Sequence, residues 1–213
     1  SLWMIDLAVD NNNHVHVIYV TNNSATATST LAYRYLRSDN TWSPEEIVLT
    51  GSNLPYYPVL AIDDQAGVHV MWTRGTEAGS PDLYYAHRIS GGSWSLPENI
   101  SNSLSVNSTL LDMAVTSEGV VHVLRGEWAG QGYLVYYQRS QGTSWSSPEL
   151  LTVDGALGYF GDITLDEAGN AYLVWNTFKT NSPRRILYTQ RKATGQMLPT
   201  QVISESTLLM HDL

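Results

Sequence analysis

Hydrophobic and polar residues alternate along most of this chain with the two-residue period that is typical of β-strands. In Val59–Trp72 (VLAIDDQAGVHVMW), a short apolar run, a polar turn at Asp63–Gly67 and a second alternating run follow one another. We expect Gly67 to supply the backbone freedom that such a turn needs. The segment therefore predicts two antiparallel strands joined by a tight turn.

This segment occurs four times in the sequence. The other copies begin at Asp6, Asp112 and Asp162, so that with Val59 the starts are 53, 53 and 50 residues apart. A third and a fourth predicted strand follow in each copy. Four strands in a unit of about fifty residues, repeated four times, predict four-stranded blades of an all-β propeller. A sandwich or a solenoid is the alternative, but a sandwich would not require the four units to keep one order of motifs.

The repeats define the predicted domain organisation. We place them at 1–53, 54–106, 107–157 and 158–207, within a single propeller domain or part of a larger one. Leu208–Leu213 (LLMHDL) is similar to Leu2–Leu7 (LWMIDL), which predicts the start of a fifth inner strand. We therefore expect a longer array, or a half that associates with another copy. A closed four-blade disc with one displaced end is the alternative.

The predicted turns differ between the two faces of the blades. The first and third turns of each blade are short, whereas the second loops and the links between blades are long and differ among copies. We call the side with the second loops and the links the long-loop face. Because functional residues concentrate on variable loops of a rigid scaffold, we expect any site on this face.

Composition narrows the possible partners. Asp and Glu outnumber Lys and Arg by 20 to 11, and the resulting charge of −9 argues against nucleic acid, which needs a basic face. The sequence has no cysteine, which is compatible with export, and no apolar run long enough to cross a membrane. We predict no cofactor and no metal site. An exported bacterial protein, extracellular or at the cell surface, is our expectation.

The third turns carry a resemblance to a known family. Arg37–Trp42 (RSDNTW), Arg88–Trp94 (RISGGSW) and Arg139–Trp145 (RSQGTSW) resemble degenerate Asp-box turns. They are similar to those of the sialidase-like family of bacterial neuraminidase repeat propellers, and the resemblance spans all four units. Only Asp39 keeps the acid, and Met197 stands where the fourth tryptophan is expected. The resemblance implies the propeller fold.

The catalytic residues of sialidases do not carry over. Members of that family use an arginine triad with a Tyr/Glu pair and an Asp acid, and an early Arg-Ile-Pro segment is typical of them; the sequence has no such segment. Its regular arginines recur once per blade, as scaffold residues do, and we interpret them as partners of turn carboxylates or carbonyls. These arginines are Arg37, Arg88, Arg139 and Arg191.

Two further sets recur at one position per blade. His16, His69 and His122, with Tyr172 in the fourth blade, suggest either a metal site or packed, hydrogen-bonded side chains, and we favour the second interpretation. The tryptophans of the third turns occupy a constant context, which predicts that they belong to the core. They are Trp42, Trp94 and Trp145.

Two groups remain as candidate site residues. Carboxylates at the start of the inner strands would form part of a ring near the axis, where they could bind a hard cation, share protons or hydrolyse a glycoside, but we favour backbone capping in the links. They are Asp6, Asp112, Asp162 and Asp212. On the long-loop face, aromatic rings with charged neighbours could bind sugars or fill gaps between blades. These residues are Tyr56, Tyr57, Arg74, Glu127, Trp128, Tyr159, Phe160 and Arg184.

Together these patterns predict a non-catalytic binding or interaction module. We expect it to recognise a glycan or a protein surface through the long-loop face, with self-association or continuation into further blades as a second kind of contact. A glycoside hydrolase of sialidase-like architecture is one alternative. A structural spacer in a cell-surface protein is the other.

Overall fold

A computed structural model describes residues 2–52, 55–75, 80–101, 107–141, 144–152, 156–179 and 182–209. Within these ranges the chain forms β-strands and turns. Blade 1 contains β1 (Leu2–Val9), β2 (Val15–Asn23), β3 (Thr28–Tyr35) and β4 (Glu46–Gly51). Blade 2 contains β5 (Pro55–Ile62), β6 (Val68–Arg74), β7 (Asp82–Arg88) and β8 (Glu98–Asn99). Blade 3 contains β9 (Ser108–Val115), β10 (Val121–Trp128), β11 (Tyr133–Gln141), β12 (Ser144–Trp145) and β13 (Glu149–Leu150). Blade 4 contains β14 (Gly161–Leu165), β15 (Ala171–Thr177), β16 (Pro183–Arg191) and β17 (Gln201–Leu209).

The four repeats form four antiparallel sheets in which neighbouring strands pair in chain order. In blade 3 the outer strand is split, because β12 and β13 both pair with β11. The predicted propeller segment of four blades is thus confirmed. Leu208 and Leu209, the start of the expected fifth inner strand, lie in β17, and residues 210–213 lie outside the described part of the chain.

Contacts divide the chain into two compact units. Unit 1 comprises Ser1–Leu110 with Ser117–Gly119, and unit 2 comprises Leu111–Thr116 with Val120–Leu213. Unit 1 therefore contains blades 1 and 2, and unit 2 contains blade 4 and most of blade 3. The predicted organisation as one propeller domain, or part of a larger one, stays a prediction.

The first turn of each blade has the same backbone geometry. In blade 2 the Asp63 N–H donates to the Gly67 carbonyl at 3.1 Å, and a side-chain oxygen of Asp63 accepts from the Gly67 N–H at 2.7 Å. The residue with positive φ is Ala66 (55°) rather than Gly67, so the role we expected for Gly67 is wrong. Gly67 is needed for space, since a Cβ there would lie 2.5 Å from an Asp63 oxygen.

The recurring histidines are packed and hydrogen-bonded, as we favoured. Nδ1 of His16 lies 2.6 Å from the Tyr33 hydroxyl, and His69 and His122 repeat the contact with Tyr85 and Tyr137 at 2.7 and 2.8 Å. In blade 2 the other ring nitrogen of His69 lies 3.1 Å from a carboxylate oxygen of Asp63. In blade 4 the Tyr172 hydroxyl donates to Asp166 instead. In blades 2 and 4 these contacts fasten the first turn to the blade.

Each unit has a hydrophobic core between its two blades. In unit 1 the core contains Ile18, Val20, Leu31, Tyr33 and Val48 of blade 1, and Leu60, Val68, Val70, Trp72 and Ala86 of blade 2. In unit 2 it contains Leu124, Val135, Tyr137 and Leu151 of blade 3, and Ile163, Ala171, Leu173, Trp175 and Leu187 of blade 4. In each pair, we call the face of the first blade that contacts the second blade its leading face. The face of the second blade that contacts the first is its trailing face. Burial of these apolar faces is the main favourable term in holding each pair together.

An arginine latch repeats across both pairs. Nε of Arg88 lies 2.9 Å from a carboxylate oxygen of Glu46, and its guanidinium lies 5.7 Å from the ring centre of Tyr33. In unit 2, Arg191 contacts Glu149 at 3.4 Å and lies 5.1 Å from the ring centre of Tyr137. A cation that meets both a carboxylate and an aromatic face across two blades fixes their register.

The four regular arginines do not share one structural position. Arg88 and Arg191 pair across the third turn with Trp94 and Met197. At the same position blade 1 has Leu36, which pairs with Trp42, and blade 3 has Ser140, which pairs with Trp145. Arg37 therefore belongs to the turn, where it donates to the Trp42 carbonyl at 3.4 Å. The scaffold interpretation fits Arg37, Arg88 and Arg191, but the one-per-blade alignment is wrong by one residue for Arg37 and for Arg139.

The third-turn tryptophans also differ from one another. Trp94 packs edge-on against Tyr33, with ring centres 5.4 Å apart, and donates from Nε1 to Glu46 at 3.1 Å. Trp42 is 44% exposed, so the prediction that it belongs to the core is wrong. Its position matches that of Trp94, but blade 1 has no preceding blade within unit 1 to cover it.

Candidate functional site

Five aromatic rings of unit 2 form a continuous patch on the long-loop face. Trp128 meets Tyr133 edge-on at 5.2 Å between ring centres, and Tyr133 meets Tyr159 edge-on at 6.3 Å. Tyr159 stacks on Phe178 at 4.8 Å with an interplanar angle of 11°, and Phe160 follows at 6.5 Å. We call Trp128, Tyr133, Tyr159, Phe160 and Phe178 the aromatic patch.

Three of these rings remain open to solvent. Phe160 is 74% exposed, Tyr159 is 41% exposed and Trp128 is 39% exposed, while Tyr133 and Phe178 are half-buried beneath them. Large aromatic side chains in soluble proteins are usually covered, and an exposed cluster marks a surface that binds something. The sequence left open that the loop aromatics turn inward to fill gaps between blades; of these, Trp128, Tyr159 and Phe160 are exposed.

Backbone pairing holds the link between blades 3 and 4 in place beneath the patch. Tyr133 and Gly158 exchange hydrogen bonds of 3.0 and 2.8 Å, and Leu157 and Phe178 exchange bonds of 2.9 and 2.7 Å. Oδ1 of Asn176 accepts from the N–H groups of Tyr159 and Phe160 at 3.0 and 2.8 Å. The rings of Tyr159 and Phe160 thus project from a segment tied to both neighbouring blades.

Close packing and one side-chain bond complete the support of the patch. A Cβ on Gly132 would lie 2.6 Å from Phe178, and a Cβ on Gly158 would lie 2.5 Å from the Asn176 carbonyl oxygen. The Tyr159 hydroxyl donates to the Gln131 carbonyl, which anchors its outer end to the β10–β11 loop. These contacts hold the rings of Tyr159 and Phe178 against the backbone of the neighbouring blades.

A buried arginine forms an ion pair near the end of β10. Arg125 is 1% exposed, Nη2 lies 2.9 Å from a carboxylate oxygen of Glu127, and the guanidinium lies 5.5 Å from the ring centre of Tyr136. The corresponding residues of blades 2 and 4 are the buried core residues Trp72 and Trp175. Glu127, which we predicted as a site residue, is therefore held by an arginine at a core tryptophan position, on the side of β10 opposite to Trp128.

The aromatic and basic candidates of unit 1 form a separate group. Tyr57 is 62% exposed at a bulge of β5, and its N–H donates to the Met4 sulfur at 3.4 Å. Tyr56 is half-buried on the same strand. The guanidinium of Arg74 lies 5.8 Å from the ring centre of Tyr84.

The inner-strand carboxylates link blades rather than cap their own links. Oδ2 of Asp6 accepts from the N–H of Leu60 at 2.8 Å, and Oδ2 of Asp112 accepts from the N–H of Ile163 at 2.9 Å. Each bond joins the inner strands of two blades in one unit. Asp162 is exposed, and Asp212 lies outside the described residues.

The remaining predicted residue, Arg184, lies on β16 with an exposed side chain, and its N–H donates to Ser206 at 3.0 Å. Among the described residues no group of three His, Asp or Glu side chains is arranged to hold a metal ion. The same part of the chain has no helix that could span a membrane.

Sequence reasoning missed Tyr133, Phe178 and Arg125. Tyr133 begins β11 and Phe178 follows β15, in two different blades, and only the folded link brings them to Tyr159. A signal for Arg125 was present, because an arginine stands where the aligned copies have Tyr19, Trp72 and Trp175. A charged residue in an aromatic core position of a repeat is a departure from the pattern that indicates a site.

No protein-family model matches the chain, and no curated protein sequence matches it. Its fold is similar to Hadza microbial sialidase Hz136, with a TM-score of 0.62, 14% identity and coverage of 89% of this chain and 44% of that one. An ulvan lyase bound to GlcA(1-4)Rha3S gives a TM-score of 0.72, 11% identity and coverage of 94% and 55%. An α-L-arabinanase of Penicillium chrysogenum complexed with arabinobiose gives a TM-score of 0.63 at 10% identity. The match covers 91% of this chain and 62% of the arabinanase chain.

These similarities establish the class of fold, a β-propeller. The chain spans 44–62% of the length of these three structures. The identities are low, so the likeness extends to the fold and not to the chemistry of a site. The sialidase-like architecture that the third turns indicated is therefore present at the level of the fold.

Proposed function

We propose that this chain is a non-catalytic propeller module that binds a glycan through the aromatic patch of unit 2. The observation that carries the proposal is the row of solvent-open rings on the long-loop face, with Trp128 at the end of β10 and Tyr159 and Phe160 on a segment hydrogen-bonded to Asn176. Sugar rings present flat C–H surfaces, and aromatic faces bind such surfaces while water remains at the sugar hydroxyls.

Glu127 is a polar candidate close to the patch along the chain. Its carboxylate is fixed by Arg125 at 2.9 Å and retains partial exposure, so it can accept hydrogen bonds from hydroxyl groups without a large loss of side-chain entropy. Because Glu127 immediately precedes Trp128 in β10, the two side chains leave the strand on opposite sides, and only a ligand that extends past the end of the strand would contact both. A protein ligand would be expected to cover a broader apolar surface than this row of three rings.

The comparisons support a glycan ligand in general terms. The similar structures include a sialidase, a lyase with a bound saccharide and an arabinanase with bound arabinobiose. Glycan binding also fits an extracellular or cell-surface location, which remains our prediction. Recognition by stacking needs neither a cofactor nor a metal ion.

The carboxylates favour binding over hydrolysis. A hydrolase needs two carboxyl groups free to exchange protons or attack the sugar. Asp6 and Asp112 instead accept backbone N–H groups at 2.8 and 2.9 Å, and Glu127 is paired with Arg125. A glycoside hydrolase is the second candidate because the similar folds belong to glycan-acting enzymes, with exposed Asp162 as the residue to test.

A glycan array followed by calorimetry on the best ligand tests the proposal. Trp128→Ala and Phe160→Ala should each weaken binding about tenfold, the effect of losing about 1.4 kcal/mol of stacking. Trp42→Ala is the matched control, since Trp42 is 44% exposed and lies in unit 1. Equal affinity of all three variants would reject the aromatic patch as the site. Release of new reducing ends or unsaturated products, abolished by Asp162→Ala, would instead establish the enzyme.

A further inference from the structure

The two outer faces of the blade series expose residues whose counterparts are buried in the paired blades. On the trailing face of blade 1, Leu7 is 61% exposed and Val9 is 54% exposed. Leu60 and Ile163 hold the position of Leu7 in blades 2 and 4, where they are 5% and 4% exposed. Blade 1 therefore carries the face that covers a preceding blade, without such a blade in its unit.

The leading face of blade 4 shows the complementary pattern. Ile203 lies at the bulge of β17 that corresponds to Val48 in β4, and it is 59% exposed while Val48 is 8% exposed. Ile186 is 37% exposed, whereas Leu31 at the same position of blade 1 is fully buried. Blade 4 therefore carries the face that would cover a following blade.

The carboxylate of Asp162, on the inner strand, also belongs to the leading face of blade 4. Asp162 pairs with Val174 in the register in which Asp6 pairs with Ile18, so it holds the position of Asp6 and Asp112. Asp6 and Asp112 each accept the N–H of the next blade's inner strand. Asp162 is exposed and in place to accept from the N–H of Leu7 in the same way.

The two faces also match at the position of the arginine latch. At both described blade boundaries an arginine meets a glutamate, Arg88 with Glu46 and Arg191 with Glu149. On blade 1 the arginine position holds Leu36, and on blade 4 the glutamate position holds Gln201. At this position, contact between the two faces would therefore bury neither an unpaired cation nor an unpaired anion, which would otherwise cost several kcal/mol. The trailing face of blade 1 also carries Arg34, at the position of Ala86 in blade 2, and its Nε donates to the Ser43 carbonyl at 2.8 Å.

We propose that the leading face of blade 4 of one copy docks on the trailing face of blade 1 of a second copy. Such a contact is heterologous, because it joins two different surfaces, and it can close a ring of two copies or extend a series. The Asp162 carboxylate accepts from the N–H of Leu7, and Ile186 and Ile203 cover Leu7 and Val9. This inference does not depend on glycan binding.

Analytical ultracentrifugation of the intact chain over a range of concentrations tests the proposal. The mass should rise above the 23.6 kDa of the single chain as concentration increases. Leu7→Glu and Ile203→Glu should each weaken association at least about tenfold, because each places a charge in an apolar contact. Leu150→Glu is the matched control, as Leu150 is 53% exposed on the outer strand of blade 3, and it should leave association unchanged.

Mixing the two variants separates a head-to-tail contact from a symmetric one. Chains with Leu7→Glu keep an intact blade 4 face, and chains with Ile203→Glu keep an intact blade 1 face, so a one-to-one mixture should recover dimers that neither variant forms alone. A mass equal to that of the single chain at every concentration would overturn the proposal. This holds whether the two faces then stay exposed, contact each other within one molecule or bind another partner. Failure of the mixture to recover dimers would also overturn it.

Discussion

Oδ2 of Asp6 accepts the backbone N–H of Leu60 at 2.8 Å, which fastens the inner strand of blade 1 to that of blade 2. Blades 3 and 4 repeat the bond through Asp112 and Ile163. A hydrogen bond to a charged group contributes about 1.5–3 kcal/mol, and its loss leaves a strand-edge N–H without its acceptor. The carboxylates that the sequence suggested as a site are therefore structural ties.

Substitution of Asp6 tests this role. Asp6→Val, which introduces the residue that blade 2 carries at Val59, should lower the free energy of unfolding by about 2 kcal/mol because it removes a charge-assisted bond. Asp162→Val is the control, measured in dilute solution, and should change stability little because Asp162 is exposed. Equal urea midpoints for Asp6→Val and the unmodified chain would contradict the assignment.

Loss of an arginine of the latch should lower stability more than loss of Arg37, another of the regular arginines. Arg88→Ala should lower the free energy of unfolding by about 2 kcal/mol, since it removes a close ion pair with Glu46 and a contact with the Tyr33 ring. Arg37→Ala should cost less than about 0.5 kcal/mol, because Arg37 makes a long bond to a carbonyl in an exposed turn. Urea denaturation measures both. Similar losses for the two variants would contradict the latch.

Ala66 offers a stabilising substitution. Its φ of 55° places an L-residue in the left-handed region, and the corresponding residues of blades 3 and 4 are Gly119 (80°) and Gly169 (76°). Ala66→Gly should raise the free energy of unfolding by about 0.5–1 kcal/mol, the relief of that strain less the added chain entropy. Gly169→Ala should lower it by about 1 kcal/mol. Thermal denaturation that moves both variants in one direction would contradict the geometry.

His122 should make stability depend on pH. Burial, with the positive charges of Arg191 and Arg139 adding to it, lowers the pKa of His122 from 6.5 to about 4. Below pH 6.5 the unfolded chain therefore binds the proton more readily, and the free energy of unfolding falls as pH decreases from 6.5 towards 4. Above pH 6.5 the contribution is constant.

The variant His122→Gln isolates this effect. Gln keeps a hydrogen-bonding group near Tyr137 but does not titrate, so it should remove up to about 2 kcal/mol of the stability lost between about pH 7.5 and about pH 5. Urea midpoints at the two pH values give the difference. An unchanged pH dependence in the variant would show that His122 is not the responsible group.

Much of the fold could be read from local sequence. Strand periodicity and the repeat spacing are properties of short segments, so they predicted the four blades and their first turns. In blade 2 the sequence did not show which residue has the positive φ, because Ala66 and Gly67 are adjacent and the glycine is the usual choice. Only the close contact with Asp63 shows that Gly67 is needed for space. The arginines were misaligned because Arg37 stands one residue after, and Arg139 one residue before, the position that Arg88 and Arg191 occupy, which only the strand pairing shows.

The candidate site was only partly readable. The sequence identified Trp128, Tyr159 and Phe160 as loop aromatics. They form one patch only because Tyr133 and Phe178 contact them across the boundary between blades. Whether Trp42 is buried likewise depends on whether another blade covers it, and the sequence of its own turn does not determine this. Contacts between distant repeats are the part of the structure that local patterns do not determine.

The most direct test of the proposed function is fluorine NMR of the chain labelled with fluorotryptophan, during titration with the glycan found on the array. The chain has seven tryptophans, and Trp128→Phe and Trp42→Phe assign the two that are exposed among the side chains that the structure describes. We predict that the Trp128 resonance shifts and saturates with the ligand while the Trp42 resonance stays in place. Saturable binding that leaves the Trp128 resonance unmoved would contradict the account.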